Sequence, residues 1–130
     1  MRIFGIDYGD RKIGLAFGDG DTGVAVPLDV VPNAGDATVR ALAAQVTRED
    51  IDLIVVGAPL SSISTQQLDK TRAFIAKLRA AVTVPIFEED ESFTSVESRR
   101  LQREEDAKAD EDALAAMLIV QQYLNGFHGL

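Results

Sequence analysis

Four acidic side chains stand where an apolar run ends or an apolar helix begins. They are Asp7 in "GIDYGDRKIG", Asp90 and Glu91 in "FEEDES", and Asp112 in "DEDALAAMLIV". Carboxylates bind hard divalent cations such as Mg2+ or Mn2+ through oxygen. Three of them, brought together, can hold one or two ions that polarise a phosphodiester, generate a nucleophile from water and stabilise the leaving oxygen. Such chemistry needs no histidine or serine base. Other routes have little to work with: the chain has no cysteine, and its single histidine, His128, lies in a Gly-rich C-terminal tail. Disulfides, thiolate metal sites and a cysteine nucleophile are thereby excluded.

For the acids to meet, the elements around them must deliver them to one place. "RIFGID" and "KIGLAFGD" read as strands joined by the "YGDR" turn, and "GVAVPLDVV" follows after "GDGDTG" as a third, giving an antiparallel meander. The period then changes to helical, with Asp36 as N-cap and Val39, Leu42, Ala43 and Val46 on one face. "DLIVVGAPL" is a continuous apolar run of the kind buried on both faces of a parallel sheet. A second helix spans about Thr65 to Ala81, with Leu68, Ile75, Leu78 and Val82 inward, and "TVPIF" leads into a fifth strand. Thr94, with Glu97 three residues on, opens a short basic helix as a capping box, and a last helix runs from about Asp110 to Asn125, stopping at Gly126.

The expected fold is therefore α/β, with a mixed five-stranded sheet, a three-strand antiparallel meander followed by two parallel strands, flanked by helices. Parallel strands carry their C-terminal ends to one edge, where ligands usually bind. Asp7, Gly57-Ala58-Pro59 and Glu88 to Glu91 all fall on that edge if the first, fourth and fifth strands are neighbours. Alternation sends Asp90 and Glu91 to opposite sides, so one of the two completes the set, and Glu91 is preferred.

Ordinary explanations cover some of these acids. Asp before Gly is common turn chemistry, and Asp10, at the turn, is most simply a solvated acid. Asp110 and Glu111 suit the first turn of a helix because of its macrodipole. Asp112 differs, since Ala116, Ile119 and Tyr123 share its face in a helix that is apolar almost all round. An ionised carboxylate there needs a cation, a set of hydrogen bonds or a raised pKa.

Composition sets the outer limits. With 130 residues and 46% hydrophobic content, the chain is expected to form one domain over residues 1–130. No apolar run reaches the roughly 20 residues that cross a bilayer, and the start "MRIFGIDYGD" is too acidic for a secretory signal, so a cytoplasmic protein without membrane contact is expected. The net charge of -8 opposes nucleic-acid binding as a whole. The cations are nevertheless grouped, as Arg11 and Lys12, as Lys70, Arg72, Lys77 and Arg79, and as Arg99, Arg100, Arg103 and Lys108, which leaves room for a basic face.

The same residues carry a family resemblance over nearly the whole chain, in order and at similar spacing. "GIDYGDRKIGLAFGD", "VVGAPL", "DESFTSVES" and "DEDALAAMLIVQQYL" resemble the successive motifs of the YqgF/RuvX family of Holliday junction resolvase-like and pre-16S ribosomal RNA nucleases. The resemblance implies an RNase H-like fold and metal-dependent endonucleolytic cleavage of phosphodiesters with Mg2+ or Mn2+. The expected substrate is the 5' end of pre-16S ribosomal RNA during ribosome biogenesis, within a pre-ribosomal particle. A Holliday junction resolvase acting on branched DNA and a non-catalytic nucleic-acid-binding module are the alternatives. Carried over by position, the family's acids fall on Asp7, Asp90, Glu91 and Asp112, with Asp7, Glu91 and Asp112 as the catalytic set. Arg11, Lys12, Thr94 and Arg99 are the expected nucleic-acid contacts. Thr94 would act from a helix N-terminus. Ser92 stands where the family usually has Arg, removing a cation suited to bidentate phosphate contact. Sugar kinases and actin-like ATPases share the Asp-x-Gly turn and core, but they close two such domains on a nucleotide, and this length provides one. The all-round apolar helix suggests a monomer or a weak homodimer.

Overall fold

The computed structural model of the chain describes residues 1–60, 65–91 and 111–126. Strands β1 (Arg2–Tyr8), β2 (Lys12–Asp19) and β3 (Val24–Pro32) form the meander. They are followed by helix α1 (Asp36–Arg48), strand β4 (Leu53–Ala58), helix α2 (Thr65–Ala81), strand β5 (Ile86–Asp90) and helix α3 (Glu111–Asn125). The five strands form one sheet in the order β3-β2-β1-β4-β5. β1 pairs antiparallel with β2 and parallel with β4, and β4 pairs parallel with β5. The mixed sheet, the meander and the adjacency of the first, fourth and fifth strands agree with the sequence reading. The basic helix expected from Thr94 lies outside the described residues.

Alternation along the strands divides the core in two. Phe4, Ile6, Ile13, Leu15, Ile54 and Val56 face α1 and α2, meeting Val39, Leu42 and Val46 of the first helix and Phe74, Ile75 and Leu78 of the second. Ile3, Ala16, Leu53 and Val55 face α3, meeting Ala116, Ile119 and Val120. β4 is buried along its whole length because it carries a helix on each side, which explains its unbroken apolar run. β3 is an edge strand, where Pro27 removes no ladder bond that the sheet needs.

Two local details differ from expectation. Asp36 is the first residue of α1 and not its cap; Gly35, at φ 65°, precedes it, and no side chain caps that end. The hydroxyl of Thr38 instead accepts a bond from the Ala34 amide at 2.8 Å and donates to the Pro32 carbonyl at 2.9 Å, fixing the turn from within the helix. In α2 the buried face also includes Thr71 and Phe74, while Leu68 is only half-buried.

α3 lies close against the sheet because glycines take the place of side chains beneath it. A Cβ at Gly5 would lie 2.2 Å from Cγ2 of Val120, and one at Gly18 would lie 2.3 Å from its Cγ1. The apolar surface of α3 is therefore largely covered within the chain: Ala113 to Ala116, Ile119 and Val120 are all buried. Exposed apolar side chains include Val24, Val26 and Leu28 of β3, Leu60 after β4 and Phe87 of β5.

Candidate active site

The site is built on one lateral row of the sheet. Gly14 of β2, Asp7 of β1, Gly57 of β4 and Glu89 of β5 stand side by side in register, so all four share the face that carries α3. Asp7 thus has a glycine on either side, and its carboxylate meets no neighbouring side chain within the row. Glu91, two residues beyond Glu89, lies on the same face, and its amide donates to the Ala58 carbonyl at 3.0 Å. Alternation puts Asp90 on the α2 side together with Glu88, which accepts both arms of Arg72 at 3.0 and 3.1 Å. Between the two acids left open by the sequence, the register therefore brings Glu91 to Asp7.

The contact with Glu91 is direct. Glu91 acts on the Asp7 carboxyl both as a side-chain hydrogen-bond partner and through its charge. Burial pushes the Asp7 carboxyl up to about 8; the bond to Glu91 and the negative charges of Glu91, Asp112 and Glu111 push in the same direction. Gly57 makes the contact geometrically available, since a Cβ there would lie 3.1 Å from Oε2 of Glu91 and 2.2 Å from Cδ1 of Ile119.

Asp112 acts on Asp7 through its charge from the first turn of α3. Its backbone rests directly on β2: a Cβ at Gly14 would lie 1.9 Å from the Asp112 carbonyl oxygen. Nζ of Lys12, the residue that starts β2, stands 3.9 Å from Oδ2 of Asp112. Arg11 is exposed at the hairpin tip, where its carbonyl accepts a bond from the Asn33 amide at 2.8 Å. Asp10 is exposed and pairs with Lys70 at 3.4 Å, as a solvated turn acid would. Thr94, Arg99 and Ser92 lie outside the described residues.

The donor set has the chemistry of a hard-cation site: carboxylate oxygens, those of Asp7 half-buried among like charges that a divalent cation would neutralise in place of a proton. Among the described residues no three acids are drawn together tightly enough to form a finished cage. Asp7 and Glu91 make the contact, and Asp112 completes the negative field.

Two supporting features went unnoticed in the sequence. Gln122 of α3 donates to Oε2 of Glu89 at 2.8 Å and to the Asp90 carbonyl at 3.0 Å, tying the end of β5 to the helix that carries Asp112. Nothing in the sequence signals that clamp. Gly14 could have been recognised, because a glycine inside a strand pattern marks close backbone approach.

The family model described as RuvX, Holliday junction resolvase, matches residues 1–126. A relative from Desulforudis audaxviator, described as a candidate pre-16S rRNA nuclease, is 35% identical over 133 residues, covering 96% of this chain and 94% of the relative. Another of the same description, from Pelotomaculum thermopropionicum, is 34% identical and covers 96% and 87%. Among solved structures, Thermus thermophilus RuvC in complex with Holliday junction substrate is similar with a TM-score of 0.65 at 14% identity, covering 99% of this chain and 97% of that one. The Fowlpox virus resolvase bound to Holliday junction DNA has a TM-score of 0.61 at 12% identity, covering 96% and 97%. Those two similarities establish the fold, an RNase H-like mixed sheet.

Proposed function

Because the chain belongs to the RuvX family, we propose that it is a divalent-metal-dependent endonuclease whose substrate is the 5' end of pre-16S ribosomal RNA. The observation that carries this reading is the Asp7–Glu91 carboxyl pair, held at the C-terminal edge of the sheet within the field of Asp112. The names of the relatives supply the substrate class, and no helix of the described residues is long and apolar enough to cross a membrane. Action on a pre-ribosomal particle in the cytoplasm follows from that substrate, with the protein a monomer or a weak homodimer.

In this reading Asp7, Glu91 and Asp112 hold Mg2+ or Mn2+, which when bound would supply Lewis-acid polarisation of the scissile phosphodiester. Asp7, whose proton burial and the neighbouring acids favour, would bind such a cation in its deprotonated form. Asp90, on the other face, is assigned no direct contact. Lys12 bridges from Asp112 toward the substrate, and Arg11 offers a guanidinium at the hairpin tip. Thr94 and Arg99 are kept as phosphate contacts on the strength of the sequence motifs alone.

The test is cleavage of a precursor RNA by purified protein with Mn2+, for wild type and Asp7→Asn. The expected result is loss of cleavage with an unchanged circular dichroism spectrum. Cleavage by the variant at the wild-type rate would sink the assignment. The family's description favours a second reading, resolution of four-way DNA junctions. Faster metal-dependent cutting of a junction than of the RNA would select it, and nucleic-acid binding without any cleavage would select a non-catalytic module.

A further inference from the structure

On the opposite face of the sheet from Asp7, but at the same edge, a cavity of about 190 Å³ opens between the β1–β2 hairpin, the turn before α1, and α2. Its inner wall is aromatic: Tyr8, the residue after Asp7, packs on Phe74 with ring centroids 4.7 Å apart. Its rim carries two lysines, each paired with an acid. Lys70 and Lys77 lie seven residues apart on the α2 face that also carries Phe74, so their backbone origins are about 10 Å apart along the axis.

Neither lysine is committed to the fold. Lys70 pairs with Asp10 at 3.4 Å and Lys77 with Asp36 at 3.0 Å, but all four side chains are largely exposed, and such pairs hold little energy. Either ammonium can turn to a phosphate at small cost. Asn33 braces the wall, donating to the Gly9 carbonyl at 2.9 Å and accepting from the Gly35 amide at 3.1 Å, so the hairpin tip and the start of α1 keep their spacing.

We infer that this cavity is a subsite for one unpaired nucleotide of the nucleic-acid strand that runs over the sheet edge from Asp7, its base against Tyr8, which Phe74 backs from the core, and its flanking phosphates on Lys70 and Lys77. Bases in single strands gain most from aromatic faces, and phosphates from flexible cations beside them. The subsite confers a preference for substrates with a single-stranded extension beside the cleaved position over fully paired ones. It rests on the nuclease reading for its occupant, though not for its geometry.

The experiment is fluorescence anisotropy with a labelled RNA hairpin carrying a single-stranded tail, with a blunt hairpin and a free mononucleotide for comparison. Wild type, Lys70→Ala/Lys77→Ala, Lys70→Arg/Lys77→Arg and Tyr8→Leu are titrated at several salt concentrations. The tailed hairpin should bind more tightly than the blunt one, and the mononucleotide should bind weakly. Removing both lysines should lower the slope of log affinity against log salt by about 1.4, two single-strand phosphate contacts' worth, and the arginine pair should restore it. Tyr8→Leu, which keeps an apolar side chain against Phe74, should weaken the tailed hairpin by roughly 5-fold or more and leave the blunt one unchanged. An unchanged salt slope in the double alanine variant overturns the subsite, as does equal binding of tailed and blunt hairpins. Cleavage followed in parallel separates the two readings. A protein that cuts with a lysine-independent slope keeps the nuclease reading and loses the subsite, whereas lysine-dependent binding without any cutting does the reverse.

Discussion

Replacing Gly14 by alanine tests how the fold sets the position of Asp112. The new Cβ would lie 1.9 Å from the Asp112 carbonyl oxygen, 2.3 Å from its carbonyl carbon and 3.0 Å from the Ala113 nitrogen. These are backbone atoms, so no rotamer change relieves the clash; the first turn of α3 must retreat by about 1.5 Å to restore an ordinary contact of 3.4 Å. Overpacking of this kind costs about 1–3 kcal/mol, and displacing a reacting group by about 1 Å costs roughly 10²-fold in rate. The assay is single-turnover cleavage of a labelled precursor RNA with Mn2+, below the melting temperature of every variant. Gly18→Ala is the reference, since its Cβ would meet only side-chain atoms, Cγ1 of Val120 first at 2.3 Å, away from the acids. Both variants should lose stability, but only Gly14→Ala should lose about two orders of magnitude in rate and show a smaller upward shift of Tm on adding Mn2+. Equal rate losses in the two variants, or a wild-type rate in Gly14→Ala, would refute the claim that backbone contact at Gly14 places Asp112.

Other perturbations follow from the same geometry. The Asp7 carboxyl binds its proton more tightly when folded than when unfolded, so the stability this group contributes to the metal-free protein is fully present below the unfolded carboxylate range and is lost as pH rises toward about 8. Denaturant melts in chelator between pH 5 and 8.5 should show this fall, and Asp7→Asn should flatten it; an identical pH profile in the variant contradicts the assignment. Lys12→Ala breaks an exposed pair with Asp112 and should change stability by less than about 1 kcal/mol, yet weaken RNA binding in anisotropy titrations. Gln122→Ala removes two bonds at the end of β5 and should cost about 1 kcal/mol and lower the cleavage rate; unchanged kinetics would show that β5 holds Glu91 without the clamp. Gly57→Ala places a Cβ 2.2 Å from Cδ1 of Ile119 and 3.1 Å from Oε2 of Glu91, so both thermal stability and metal-dependent cleavage should fall.

Several features follow from local pattern alone. The short β-rich runs of β1 and β2, and the turn residues between them, define the hairpin, and the consecutive buried residues in both strands reflect helices packed on both faces of the sheet. The unbroken apolar run of β4 implies helices on both faces, and the periodicity of α2 matches its observed span of Thr65–Ala81. Asp7 was legible as a candidate ligand for the same reason: it is an acid at the end of a buried strand, where an ordinary turn acid such as Asp10 is exposed.

Tertiary structure decided what depends on pairing register and on contacts distant in sequence. Choosing Glu91 over Asp90 required the alignment of Ala58 with Asp90, which fixes which face each acid takes. The glycine on either side of Asp7 comes from two other strands, at positions 14 and 57, and their alignment with residue 7 appears only when β2, β1 and β4 are laid side by side. The clamp from Gln122 joins residues 33 and 32 positions apart, beyond the reach of any periodic signal. The cavity behind Asp7 likewise assembles residues from a hairpin, a turn and a helix. Sequence names the residue types and the elements that carry them; the burial of Asp7 and the spacing of charges across strands, which together raise its pKa, exist only once the sheet has closed.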